Sequence, residues 1–273
     1  MKNFRILALL AGLLMFSGLA YAGTCDLTPA PLQECTINTA IFQGVDPQST
    51  GTGVIDPFVQ VHPGGNDTIE SAYNTTVDKT LDVGAPDNFN HELLLSDLKV
   101  ETIGGITYYK FILDINEDKN AADRYLSLDD VQLFQSTIAN QSVETFSGGV
   151  VDIDGTLVYR LDTANVDNVV LLDYSFDNGS GSGDMSMFIP VSAFNGEGQY
   201  VYLYSQFGVT GLVGSGCSEH PVEQPCRNYG SSDGFEEWIN AGGTPVPEPA
   251  TMVLLGTGLL GIAGKVRRRM KKS

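Results

Sequence analysis

Apolar residues alternate with polar or mixed ones along much of the second half of the chain, and this period of two constrains the fold most. Four stretches show it, at Tyr109, Phe111, Leu113 and Ile115; Val170, Leu172, Tyr174 and Phe176; Met185, Met187, Ile189 and Val191; and Val201, Leu203, Ser205 and Phe207. Such alternation is typical of antiparallel strands that bury one face. Repeated short strands between turn clusters predict an all-β fold, an antiparallel β-sandwich similar to a jelly roll, with short apolar helices only at the termini.

Two local signals refine this prediction. The alternation from Leu126 to Leu133 slips by one residue at Asp129 and Asp130, which predicts a β-bulge. Asp154-Gly155 follows one apolar pair and precedes another, which predicts a hairpin turn. Residues 36–90 are rich in Gly, Asp, Asn, Thr and Pro, and they favour long loops or edge strands whose positions the pattern does not fix.

The first 22 residues have the three-part layout of a secretory signal peptide. Lys2 and Arg5 precede an apolar run from Ile6 to Phe16, and the small-residue triplet Ala20-Tyr21-Ala22 follows. The apolar run is shorter than the ~20 residues that a membrane-spanning helix needs. We therefore expect the export machinery to translocate the chain and signal peptidase to cleave it after Ala22.

The C-terminal residues form a second apolar segment, residues 250–273, with a basic end. A Gly/Pro linker, residues 242–249, precedes the apolar run from Ala250 to Gly264, and a cluster of Lys and Arg follows it. As a helix, this run would reach about 22 Å, against ~30 Å for a bilayer core. The basic cluster favours the cytoplasmic side, so we expect transient anchoring in the inner membrane with the main domain outside.

The tail resembles the PEP-CTERM sorting signal of Gram-negative bacteria. A Pro-Glu-Pro triplet, a short Gly-rich apolar helix and a basic end occur in that order, and the sorting residues are Val246, Pro247, Glu248, Pro249, Arg267, Arg268 and Arg269. The resemblance implies an exosortase that cleaves near the triplet and releases or attaches the protein in the extracellular polysaccharide matrix. The same tail is sometimes labelled an ice-binding protein C-terminal domain, but that label describes the tail alone.

Residues 23–241 are long enough to form one sizeable extracellular domain. They carry 7 of the 15 basic residues and 32 of the 33 acidic ones, which gives a formal charge of −25. A surface this acidic repels nucleic acid and anionic membranes. We therefore expect no nucleic-acid partner, and we expect the protein at the cell surface or in the extracellular matrix.

Four cysteines occur in this region, an even number in a chain bound for an oxidising compartment, where disulfides are expected. Four thiols allow three pairings, and the closeness of the two neighbours at each end favours Cys25 with Cys35 and Cys217 with Cys226. Zinc is disfavoured because the spacing is not that of a Cys-x-x-Cys site.

A polar loop after one predicted strand is the candidate metal site. Its oxygen-bearing residues include Asp114, Asn116, Asp118, Asn120 and Asp123. Oxygen ligands of this kind are those that Ca²⁺ uses. The loop begins like an EF-hand, but Lys119 stands where the turn glycine is needed and Tyr125 where the bidentate Glu is needed. Both weak Ca²⁺ binding and a solvated acidic turn fit the sequence.

No catalytic residues are predicted, since the sequence contains no His-Glu-x-x-His metalloprotease motif and its Gly/Ser-rich stretches, such as residues 179–183, are better interpreted as turns than as a nucleophile elbow. We expect a non-catalytic component of an exopolysaccharide or biofilm matrix, or an adhesion protein, in contact with extracellular polysaccharide. The alternative is a secreted carbohydrate-active enzyme similar to a glycoside hydrolase. A concave site with two carboxylates and flanking aromatics would favour the enzyme, whereas an open face bearing Tyr200, Tyr202, Tyr204 or Trp238 would favour binding. Glu236-Glu237, beside Trp238, is a candidate pair for a sugar cleft.

Overall fold

The structure is a computed structural model that describes residues 23–44, 57–62, 67–77, 81–83, 89–120, 122–176, 183–213, 226–232 and 234–240. The predicted signal peptide, linker, apolar tail helix and basic end all lie outside these residues. No helix in the described ranges is both long and apolar enough to cross a bilayer.

Eighteen strands and two single-turn 3₁₀ helices, Leu95–Asp97 and Val191–Ala193, make up the regular structure of the described ranges. The strands are β1 (Thr24–Asp26), β2 (Glu34–Ile37), β3 (Ala40–Gly44), β4 (Pro57–Val61), β5 (Glu70–Tyr73), β6 (Leu93–Leu94), β7 (Val100–Ile103), β8 (Ile106–Asp114), β9 (Tyr125–Ser136), β10 (Phe146–Ser147), β11 (Val150–Val151), β12 (Thr156–Arg160), β13 (Val169–Asp173), β14 (Met185–Pro190), β15 (Tyr200–Phe207), β16 (Leu212–Val213), β17 (Arg227–Asn228) and β18 (Glu236–Asn240).

Fourteen of these strands form two seven-stranded sheets. Sheet A has the order β1-β13-β9-β15-β5, with β12 also paired to β9 and β6 to β15. Sheet B has the order β2-β3-β14-β8-β18-β4, with β7 paired to β8. The ladders are antiparallel except for the parallel pairing of β1 with β13. The predicted all-β, mainly antiparallel architecture is therefore confirmed.

One hydrophobic core receives side chains from both sheets, which is how the two sheets of a β-sandwich pack. Sheet A contributes residues such as Leu128 and Leu203, and sheet B contributes Phe111, Leu113 and Trp238. The inward rows predicted from the period of two are those that fill this core.

A second hydrophobic cluster covers the outer face of sheet A. Its buried members are Tyr73, Phe134, Val151, Ile153, Tyr202 and Tyr204. The segment between β9 and β12 lies over this face, where the Tyr202 hydroxyl donates to the carbonyl of Ile138 at 2.9 Å. Tyr202 and Tyr204 are 0% and 3% exposed and Tyr200 is half-buried, so these residues do not form the open tyrosine face that would favour binding.

The predicted bulge is present and the predicted hairpin is not. Gln206 pairs with Asp130 and Phe207 with Leu128, so Asp129 is the extra residue in β9. The hairpin near Asp154-Gly155 is wrong, since β11 pairs with β10 and β12 pairs with β9. The turn between β10 and β11 is Gly148-Gly149, with φ of 60° and 78°, the positive values that a type I′ turn requires.

The predicted disulfide between Cys25 and Cys35 is confirmed. It joins β1 of sheet A to β2 of sheet B, with the two Cα atoms 5.9 Å apart. Cys226 is also in a disulfide. Cys217, its predicted partner, lies outside the described residues, so that pairing stays a prediction.

Candidate functional site

A pocket of about 310 Å³ opens on the outer side of sheet A beside the β10–β11 hairpin. It is lined by Asp130, Phe146, Gly149, Arg160, Asp162, Tyr204 and Gln206. These residues come from β9, β10, β12, β15 and the turns that follow β10 and β12, so no local motif contains them. Of these residues, sequence analysis named only Tyr204, as one member of a possible binding face.

The bulge in β9 shapes the floor of this pocket. The extra residue, Asp129, is held by hydrogen bonds that its carboxylate accepts from the Ser127 hydroxyl at 2.7 Å and the Val209 amide at 2.8 Å. The next residue, Asp130, lines the pocket opposite Gln206. Bulges often re-aim a side chain next to a functional site, and the slip at Asp129 and Asp130 is a sequence signal for this one.

Gln132 fixes the hairpin over the sheet. Its amide nitrogen donates to Asp130 Oδ2 at 2.6 Å and to the carbonyl of Gly149 at 2.8 Å. Its amide oxygen accepts from the Val151 N–H at 3.0 Å. A buried Gln with all of these bonds holds one wall of the pocket rigidly against the carboxylate.

Two carboxyl groups lie close enough in this pocket to influence one another. Burial raises the pKa of Asp130, although its bond from Gln132 acts in the opposite direction. Burial also raises the pKa of Asp162 to about 6, and the charges of Asp130 and Asp167 add to the shift. Asp162 is held in place by the N–H of Asn168, which donates to it at 2.7 Å.

Arg160 places a positive charge in the pocket and forms no ion pair with the described carboxylates. The ion pairs of the described residues are Lys110 with Glu101 and Arg124 with Asp173, so no described carboxylate lies within 4.0 Å of the Arg160 guanidinium. Its buried Nε makes no hydrogen bond. A Cβ at position 149 would lie 2.8 Å from its Nη2, so the positive-φ glycine of the hairpin also leaves room for the guanidinium.

Aromatic rings form the apolar part of the pocket. Phe146 is 43% exposed, and its ring meets that of Tyr204 edge to face, with the centroids 5.5 Å apart. Burial raises the pKa of Tyr204 to about 12, so its hydroxyl is neutral at physiological pH. An exposed ring beside planar hydrogen-bonding groups suits a ligand with one apolar face and many hydroxyls.

The residues predicted to bind Ca²⁺ do not share one centre through their hydrogen bonds. Asn116 Oδ1 accepts from the Tyr174 hydroxyl, Asp118 accepts from Asn120, and Asp123 Oδ1 accepts from Asn228. Asp114 is buried at the end of β8. Within the described ranges, no three His, Cys, Asp or Glu side chains are arranged to hold a metal ion. Calcium binding by this loop stays a prediction.

The proposed sugar cleft at Glu236-Glu237 is wrong for a simple reason. Glu236 and Trp238 are 0% exposed, and Glu237 is buried beside Gln60, whose amide donates to it at 2.7 Å. None of these side chains is open to a polymer outside the sandwich.

Comparison with known proteins identifies the C-terminal tail. Residues 245–269 match the family model described as the PEP-CTERM protein-sorting motif. No curated protein and no solved structure matches the chain significantly. The sorting residues from Val246 to Arg269 lie in the matched segment and outside the described residues. The chain thus carries a PEP-CTERM sorting motif, which marks it as an exported protein whose C-terminal tail is processed by an exosortase.

Proposed function

We propose that this exported protein is a non-catalytic component of the extracellular matrix that binds a neutral polysaccharide through the pocket between the bulge of β9 and the β10–β11 hairpin. The observation that carries the proposal is the exposed ring of Phe146 beside the unpaired Arg160 guanidinium and the Asp130 and Asp162 carboxyls. β-Sandwich folds such as jelly rolls include many lectins, and this architecture is compatible with that use.

The charges of the pocket favour an uncharged sugar. Hydroxyl groups can donate to the carboxylates of Asp130 and Asp162 and accept from Arg160 and Gln206 at the same time. An anionic polymer would meet these two carboxyls and the −25 charge of the body. The pocket volume of about 310 Å³ is near the lower end for small-molecule sites, which suits one or two sugar units of a longer chain.

Binding is tested with the purified protein and the exopolysaccharide of its host, by affinity electrophoresis and by titration calorimetry with oligosaccharide fragments. We expect Phe146→Ala and Arg160→Met each to weaken binding by about tenfold, since each removes one desolvated contact. Val100→Ala, an exposed position on β7 of sheet B, is the matched control and is expected to bind like the wild type. Equal affinity in all four proteins would contradict the proposal.

A carbohydrate-active enzyme is the second candidate, because the pocket does contain two carboxyls and flanking aromatics. A glycosidase needs one carboxyl to act as an acid and the other to stay ionised, so their environments push the two pKa values apart. Here burial shifts the pKa of Asp130 and that of Asp162 in the same direction, upward, rather than in opposite directions. New reducing ends that appear with the wild type and not with Asp162→Asn would support the enzyme instead.

A further inference from the structure

Two glutamates face each other inside the sandwich, one from each sheet. Glu70 is the first residue of β5 in sheet A, and Glu236 is the first residue of β18 in sheet B. Their side chains are 1% and 0% exposed. The two carboxyl groups lie within hydrogen-bonding reach of each other.

Few hydrogen-bond donors lie near these two carboxyls in the described part of the chain. None of their four oxygens accepts a hydrogen bond of good geometry in the described part of the chain, although the Ser231 hydroxyl lies near Glu70 and the Asn116 N–H lies near Glu236. Neither carboxyl takes part in an ion pair, since the described pairs involve other residues. The Ser231 hydroxyl is 4% exposed, lies beside Glu70 and makes no hydrogen bond to any other group in the described part of the chain.

The surrounding charges make the pair more unfavourable still. Glu117 lies near Glu236 and Asp82 near Glu70, and both add negative charge. Glu117 is itself bound by Ser232, whose N–H donates to Oε2 at 2.8 Å. His62 is the nearby group that can carry positive charge, and its Nδ1 lies 2.8 Å from the Gly234 carbonyl. Burial raises the pKa of both Glu70 and Glu236, as expected of carboxyls without a counter-charge.

A divalent cation relieves the repulsion between the two buried carboxylates more completely than a proton does. One proton shared between the two carboxyls forms a single hydrogen bond and leaves two of the four carboxyl oxygens outside it. A calcium ion accepts six to eight oxygen ligands and cancels both charges. The donors are oxygens, which suit Ca²⁺ or Mg²⁺, and a site built on irregular loop and strand ends fits the flexible geometry of Ca²⁺ better.

We infer that Glu70 and Glu236, together with the Ser231 hydroxyl, bind one calcium ion between the two sheets. This site borders the loop of Asp114, Asn116, Asp118, Asn120 and Asp123 but uses none of their side chains as ligands, and it does not depend on polysaccharide binding. Only two carboxylates converge, so neutral oxygens and water complete the ligand set. A dissociation constant of about 10⁻⁴ to 10⁻³ M, typical of extracellular modules, is expected.

Terbium luminescence tests the location of the ion in the purified full chain. Trp238 is the only tryptophan and lies two residues beyond Glu236 on the same face of β18, a separation of about 7 Å along the strand. Tb³⁺ at this site should therefore emit when the indole is excited, and Ca²⁺ should displace it. Absence of indole-sensitised emission, or emission that Ca²⁺ does not displace, would overturn the inference without the need for any variant.

Thermal unfolding with excess Ca²⁺ and with chelator tests which residues are the ligands. At about ten times Kd, one site that binds only the folded state should raise Tm by about 3 °C. Glu70→Gln and Glu236→Gln should abolish this shift, and in chelator they should unfold at or above the wild-type temperature because a buried charge is gone. Ser231→Ala should reduce the shift.

Two controls separate this site from its neighbours. Glu237→Gln changes the adjacent glutamate, which faces Gln60 on the other side of β18, and should keep the shift. Asp118→Asn changes the predicted loop and should also keep it. A shift that survives Glu236→Gln, or that Asp118→Asn abolishes, would overturn the inference, and so would a wild type that Ca²⁺ does not stabilise.

Discussion

The indole Nε1 of Trp238 in sheet B donates a hydrogen bond to Oγ of Ser205 in sheet A, 3.0 Å away across the core. Both residues are 0% exposed. A buried indole N–H requires an acceptor, which explains why a serine occupies the inward row of β15 between Leu203 and Phe207.

Removal of either partner should destabilise the fold. We expect Trp238→Phe to lower the free energy of unfolding by about 2–4 kcal/mol, because it leaves a cavity and an unsatisfied hydroxyl, and Ser205→Ala to lower it by about 1–2 kcal/mol. The double variant should lose less than the sum of the two. Urea unfolding followed by circular dichroism measures all three, and strictly additive losses would mean that the bond contributes nothing.

The Cys25–Cys35 disulfide should stabilise the sandwich by restricting the unfolded chain. The two cysteines are 10 residues apart in sequence, a loop for which about 2–3 kcal/mol is expected. Replacement of both by alanine should lower the urea midpoint, because the unfolded chain is then less restricted. An unchanged midpoint would show that the disulfide does not lower the conformational entropy of the unfolded chain enough to stabilise the fold.

Asp162 should make the free energy of unfolding depend on pH. Its pKa rises from 3.8 to about 6 on folding, so the folded state binds more protons between these values. The free energy of unfolding should therefore fall as pH rises from about 4 to about 6, and Asp162→Asn should remove this part of the fall. NMR titration of the Asp162 carboxyl measures the pKa directly, and a midpoint near 4 would contradict the expectation.

The protein isolated from the surface of its host should lack both ends of the chain. Cleavage after Ala22 and exosortase cleavage near Pro247-Glu248-Pro249 should remove the signal peptide and the basic end. Intact-mass measurement checks both sites. A mature protein that still contains Arg267 to Ser273 would instead indicate a simple membrane anchor.

Alternation predicted the strands well where each strand buries one face. Strands β8, β13, β14 and β15 coincide with the four predicted rows, and the slip at Asp129 and Asp130 predicted the bulge. The strands β2 to β6 were not predicted, because they are short and their burial patterns do not alternate over enough residues.

The candidate sites could not be predicted, since pairing register creates them. Asp130 and Gln206 meet because a bulge shifts β9 against β15, and Glu70 and Glu236 meet because two sheets pack face to face. Trp238 was misinterpreted as a surface ligand group for a related reason. The sequence of one aromatic residue beside two glutamates does not show whether its strand lies at the edge of a sheet or in its interior. Strand β18 lies in the interior, between β8 and β4.

The central claim is that the pocket beside the β9 bulge holds a sugar. A structure of the protein soaked with an oligosaccharide of the host matrix tests it most directly. We predict a sugar ring against Phe146, with hydroxyls bonded to Arg160 and to the carboxyls of Asp130 and Asp162. A sugar bound elsewhere on the sandwich, with this pocket unchanged, would contradict the account.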